Sequence, residues 1–164
     1  MSRSQKPRRK YDPNRTLNRC ASIAERAIAA MPMRADAARD IEIAAHIALD
    51  RLINGADKDS LYILASALDV SHELAARGVG IEHIADVERG MAALVRAKKH
   101  GDRTGVWVLT GADARAASGA LAVHDAQIEV ASRAMVVDVI KTVTARVESG
   151  ARETEFEVMM LEAA

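Results

Sequence analysis

Residues 57–78 read DKDSLYILASALDVSHELAARG, and this stretch decides the fold class. Leu61, Leu64, Ala65, Leu68, His72 and Ala75 recur at three- and four-residue spacing, so they line one face of a helix. Ile63, Ala67, Val70 and Leu74 line a second face. A helix apolar on two faces is normally surrounded by others, and this one is expected at the centre of a bundle. Asp57 offers an N-cap carboxylate, and Gly78 stands where helices stop.

Working outward, Ile41, Ala45, Ala48, Leu49 and Leu52 form the stripe of a preceding helix. It begins at Arg34 or Ala35 and ends at Asn54-Gly55. An earlier helix is expected from Thr16 to Ala30, stopped by Pro32, because the residue before a proline avoids the helical region. Downstream, Ile81, Ile84, Val87, Met91, Leu94 and Val95 mark a fourth helix. Arg96, Lys98, Lys99 and His100 complement its C-terminal dipole. Gly101 to Gly105 reads as a loop. Val106-Trp107-Val108-Leu109 is too short to make a sheet alone and is expected as an extended plug that buries Trp107. Thr110-Gly111-Ala112-Asp113 resembles a capping box, with Asp where Glu is usual. From there one long helix is expected to reach Glu148, carrying Leu121, His124, Ile128, Ala131, Met135, Val139 and Val143 at helical spacing. Gly119 is its weak point, costing about 1 kcal/mol relative to alanine. The expected fold is all-α: a bundle of about five helices with a long C-terminal helix. Residues 1–15 form a flexible basic arm, residues 16–150 the helical bundle domain, and residues 151–164 an acidic and apolar C-terminal tail suited to a docking peptide or a partner strand.

Composition supports this. Alanine supplies 33 of the 164 residues, and the aromatics are only Trp107, Tyr11, Tyr62 and Phe156. Alanine is the best helix former and a poor strand former. It also buries little area per residue, so modest stability is expected, with homodimerisation as one remedy. The interior of small side chains is expected to leave no room for a catalytic cleft. A roomy cavity ringed by ionisable groups would argue otherwise.

The net charge of zero hides an asymmetry. Residues 1–19 carry seven basic residues against Asp12 alone, a net +6, which leaves −6 for the remainder. Lys6, Arg8, Arg9, Lys10 and Arg15, with Tyr11 among them, suit a phosphate backbone or an acidic protein surface, with Tyr11 free to stack. A solvated tail that keeps the chain soluble has the same composition. Cys20 is the single cysteine, so no intrachain disulfide forms, which fits a reducing cytosol. The N-terminus lacks the apolar run of a signal peptide, and no stretch reaches a membrane span, so a cytoplasmic protein is expected.

No motif points to catalysis. Arg77-Gly78-Val79-Gly80 and Gly101–Gly105 are glycine-rich, but neither follows a strand or supplies the Lys and Ser/Thr of a P-loop. His46, His72, His83, His100 and His124 show no i, i+4 pair and no HExxH, so no metal or cofactor is expected. Ser71-His72-Glu73 and His124-Asp125 are sequence neighbours without a nucleophile elbow. An enzyme reading would need a deep pocket holding His72, His83 or His124 beside carboxylates. Trp107 and His124 are expected as structural anchors. Residues 73–87 resemble a helix-turn-helix, but Leu74 stands where a small residue is wanted. Glu82, Asp86 and Glu88 would also face phosphate, so a plain helical hairpin is expected.

The order of features resembles a family of small uncharacterised proteins encoded by phages and prophages of proteobacteria. Four stretches carry the resemblance: Arg8-Arg9-Lys10-Tyr11-Asp12-Pro13, Ala75-Ala76-Arg77-Gly78-Val79-Gly80, Arg103-Thr104-Gly105-Val106-Trp107 and Val123-His124-Asp125-Ala126-Gln127. It spans residues 6–148 and leaves out the tail after Gly150. It implies a mobile-element origin and a bacterial host cytoplasm, and it implies no reaction. The expected function is that of a non-enzymatic accessory protein that binds a host or phage protein, in order to block a host defence or tune host transcription. The alternative is nucleic-acid binding through the N-terminal arm.

Overall fold

The computed structural model describes residues 22, 25–32, 35–55, 57–149 and 156, and the side chains of all of these but 35–38. The fold is all-α. After a helical stretch at 25–30 come α1 (Ala35–Ile53), α2 (Lys58–Ala76), a 3-10 turn (Ile81–His83), α3 (Ile84–Thr104), α4 (Gly111–Val130) and α5 (Arg133–Ser149). The expected arm and the start of the expected first helix lie outside the described residues, as does the tail apart from Phe156.

α2 is central, as its two apolar faces require, and packs against α1, α3, α4, α5 and the 3-10 turn. Its start is capped by Asp57, whose Oδ1 accepts the Ser60 N–H at 2.9 Å. The expected second face is incomplete, since Ile63 reaches solvent. Ile81, placed on the α3 stripe by spacing, is likewise exposed, because the chain there is still in the 3-10 turn.

The interior has two parts. The larger gathers Leu49 and Leu52 of α1, Leu61, Leu64 and Leu68 of α2, Leu94 of α3 and Leu121 of α4, with Leu109 and Phe156. The smaller joins Leu74 and Ile128 to Ala131 and to Val136, Val139 and Val143 of α5. α5 is held on α2 by polar ladders as well. Asp69 and Glu73 of α2 and its C-cap Arg77 recur every four residues, and Asp138, Thr142 and Arg146 recur every four on α5. The helices run antiparallel, so the ladders cross-pair. Arg77 donates to Glu73 at 2.9 Å, to Asp138 at 2.5 Å and to Thr142 Oγ1 at 2.8 Å. Arg146 donates to Asp69 at 2.6 Å and lies 3.6 Å from Glu73.

Two expectations are corrected. Residues 101–104 continue α3 instead of forming a loop. Gly101 lies within the helix, and its missing side chain leaves room for Trp107 to fold back onto it: a Cβ there would collide with the indole. The extended stretch behind it is tied to α1 through the Leu109 N–H, which donates to the Leu52 carbonyl at 2.9 Å. The long last helix is in fact two. Gly119 lies unbroken within α4, and the break falls at Ala131, whose ψ of 142° is extended. Two bonds outside the helical ladder favour it, the first of them part of an isolated bridge between Pro32 and Ser132. The Arg133 N–H donates to the Met31 carbonyl at 2.8 Å, and Ser132 Oγ accepts the Met135 N–H at 3.3 Å. Apolar spacing runs through the break because Ile128, Ala131, Val136 and Val139 all face the smaller core.

Candidate functional site

α5 rests on α2 and barely touches α3, so a wedge is left between α3 and α5 above α2. It forms a cavity of about 440 Å³ lined by Met91, Ala92, Val95 and Phe156, with Asp69, His72, Glu88, Arg96, Lys99 and Arg146 around them. The expectation that alanine-rich packing leaves no such room is therefore corrected. Small side chains close the contacts between neighbouring helices, but they cannot fill a gap that the helix arrangement opens. Its size is in the range of ligand pockets, and an apolar floor is ringed by ionisable groups.

The charges are largely matched to one another. Asp69 is almost fully buried and takes the Arg146 guanidinium. His72 Nε2 lies 3.8 Å from Glu88 Oε1, with both side chains partly in solvent. Arg96 donates twice to Asp113, at 2.6 and 3.1 Å, and that bonding raises its pKa above the ordinary guanidinium value. His72 beside Asp69 and Glu88 is the pairing an enzyme reading would look for. Yet among the described residues the cavity lining includes no Ser, Thr or Cys to act as a nucleophile. As described, the arrangement is suited to holding an amphipathic group.

A second polar cluster lies on α1 and α4. His124 is fully buried, and its Nδ1 lies 3.1 Å from Asp125 Oδ1. Asp125 Oδ2 lies 2.8 Å from Nε2 of the exposed His46. Burial pushes the Asp125 carboxyl up, but the hydrogen bonds from His124 and His46 outweigh it and hold it below the usual value. Gln127, one turn on, is buried in a bonded network: Ser71 Oγ donates to its Oε1 at 2.6 Å, and its Nε2 donates to the Val79 carbonyl at 2.8 Å.

Of the residues singled out from sequence, His72 lines the cavity. His124 is buried away from it, and Trp107 is half-buried on Gly101 at a separate polar notch beside Asp57. His83 lines a third, largely apolar groove with Val79, Val123 and Val130. Lys6, Arg8, Arg9, Lys10, Tyr11 and Arg15 lie outside the described residues. Sequence reasoning missed Asp69, Arg146 and Phe156. A signal existed for the first two, since Asp69 interrupts an apolar face and each belongs to a four-residue polar ladder. Among the described residues no three metal-ligating side chains converge, and no helix is long and apolar enough to cross a membrane. Compared with known proteins, the chain matches no family model, no curated protein and no solved structure.

Proposed function

We propose that this chain is a non-enzymatic accessory protein of a phage or other mobile element that acts by binding a host or phage protein. One observation carries the reading. α5 carries apolar residues on two sides but, among the described residues, has a packing neighbour on only one. Val136, Val139 and Val143 enter the core, while Val137 and Ile140 stay in solvent, as does Val130 just before the break. α5 packs on α2 alone among the helices it contacts extensively, so its outer face suits a partner. The mobile-element part of the reading is supported only by the resemblance of the sequence features.

Light scattering and affinity capture from bacterial lysate test it. The wild type is expected to retain a specific protein, and Val137→Asp/Ile140→Asp to lose it at unchanged helicity. A second copy of the chain would appear as a dimer that the double variant splits. A strict monomer that captures nothing, or equal capture by the double variant, overturns the proposal.

The charge of +6 on residues 1–19 favours a second reading, nucleic-acid binding through Lys6, Arg8, Arg9, Lys10, Tyr11 and Arg15. It requires a steep fall in binding with salt and its loss on deleting residues 1–15.

A further inference from the structure

α1 lies at the edge of the fold and, among the described helices, packs extensively on α2 and α4 alone. Ala45, Ala48, Leu49 and Leu52 face inward. On the opposite side stand Ile43 and Ile47, one turn apart and 48% and 54% exposed. At about 100° per residue, Arg39 and Asp50 fall on one flank of this pair and Asp40 and Arg51 on the other. Each flank therefore carries one charge of each sign, about 16 Å apart along the axis. The order Arg39-Asp40 at one end and Asp50-Arg51 at the other mirrors itself about Ala45. All four charged residues are exposed. Arg39 and Asp40 have no ion-pair partner among the described residues. Asp50 accepts from Asn54 through Oδ1 at 3.2 Å, which leaves its Oδ2 open. Arg51 donates to Asp57 through Nη2 at 2.6 Å, which leaves its Nε and Nη1 to give.

We propose that the outer face of α1 is the contact surface of a homodimer, in which the helix meets its copy antiparallel about a twofold axis near Ala45. A twofold axis that reverses the helix lays each flank against the same flank of the copy. Arg39 of one protomer then faces Asp50 of the other, and Asp40 faces Arg51, while the isoleucines meet between them. Symmetry repeats every such contact. A parallel pairing would instead set each charge beside its own like, which is destabilising. A charge order that mirrors itself is matched by a second copy of the same helix, whereas an unrelated partner has no need of it. The surface is separate from the outer face of α5, so the inference goes beyond the reading in which that face holds a partner protein. One helix face is small beside the roughly 800 Å² per partner of a standard stable interface, so the dimer exchanges with monomer at roughly micromolar concentration or above.

Sedimentation velocity over a concentration series of the full-length chain reads the equilibrium, with circular dichroism as the check on folding. The wild type is expected to dimerise, and Ile43→Asp/Ile47→Asp to stay monomeric at unchanged helicity. Arg39→Asp sets like charges opposite Asp50 on both sides of the axis and should weaken the dimer about 5-fold. Adding Asp50→Arg restores opposite charges there and should recover most of that loss. Neither of these two side chains enters the core, so this pair carries the test even if the isoleucine variant does not fold. A chain that stays monomeric throughout, a dimer indifferent to the folded isoleucine variant, or a loss at Arg39 that Asp50→Arg does not repair overturns the proposal. So does a dimer that Val137→Asp/Ile140→Asp alone splits. Capture of a bacterial protein through Val137 and Ile140 is read separately. If capture fails while the α1 dimer holds, only the broader reading falls; if capture holds in a strict monomer, only the dimer falls.

Discussion

Arg146 of α5 donates to Asp69 of α2 at 2.6 Å across 77 positions of sequence, and the carboxylate it meets is almost wholly buried. A carboxylate in that setting is costly unless it is paired. Arg146→Met is therefore expected to destabilise the fold by about 2–3 kcal/mol, below the usual cost of breaking a buried pair because the arginine is partly solvated. Replacing both partners, Arg146→Met with Asp69→Leu, should recover most of that loss, since no buried charge is left behind. Urea unfolding of the two singles and the double measures this. Additive losses would show that the two side chains act independently.

A close approach between backbones sets the second prediction. Gly90 of α3 faces Ala120 of α4, and a Cβ at position 90 would overlap the Ala120 Cβ, with Leu68 Cδ1 at 3.1 Å and the Ala116 carbonyl at 3.3 Å. Helix propensity favours Gly→Ala by about 1 kcal/mol, but overpacking costs about 1–3 kcal/mol and sometimes more. Because one obstacle is backbone, the clash wins, and Gly90→Ala should lower stability. Gly119 is the control: it lies within α4 with nothing inside 4 Å of a built Cβ. Gly119→Ala should raise stability by about 0.5–1 kcal/mol. Thermal melts of the two variants should move in opposite directions.

These sites also show what the sequence made legible. Periodicity found the helices because each buries a stripe, and Asp57 marked the start of α2 because capping is local chemistry. The break at Ala131 left no trace in the pattern, because the residues on both sides face one core. The opposing bonds come from Met31 and Pro32, some hundred positions earlier. Gly101 read as a loop because the reason for a glycine there, the Trp107 ring folding back over it, is not visible in the local sequence. The cavity was hidden for a similar reason. It depends on where α5 lies relative to α3, and no single helix records that.

Asp125 sets a pH dependence. Its native carboxyl titrates below the ordinary 3.8 because the bonds from His124 and His46 outweigh burial. A carboxyl depressed in the native state adds stability that is fully present above the unfolded value and is lost as pH falls through the native one. Wild type should therefore lose stability steeply below pH 3.8, and Asp125→Asn should lose less over the same interval. Urea midpoints for both proteins between neutral pH and pH 3 provide the check. Parallel curves would remove Asp125 from the acid response.

The last prediction uses the single tryptophan as its own reporter. Trp107 is half-buried against Gly101, where a methyl group would occupy the space of the indole Cδ1 and Nε1. Gly101→Ala improves the propensity of α3 yet leaves the ring no place, and the ring sits on an extended stretch that moves more easily than a helix backbone. The ring should therefore yield and turn toward solvent. Its fluorescence is expected to shift to longer wavelength and become more accessible to iodide, while far-UV circular dichroism stays nearly unchanged. Since Leu109 anchors the same stretch to Leu52 by a backbone bond at 2.9 Å, the displacement should stop there and leave the larger core intact. An unshifted emission maximum in a folded Gly101→Ala protein would mean that Trp107 is not seated on Gly101.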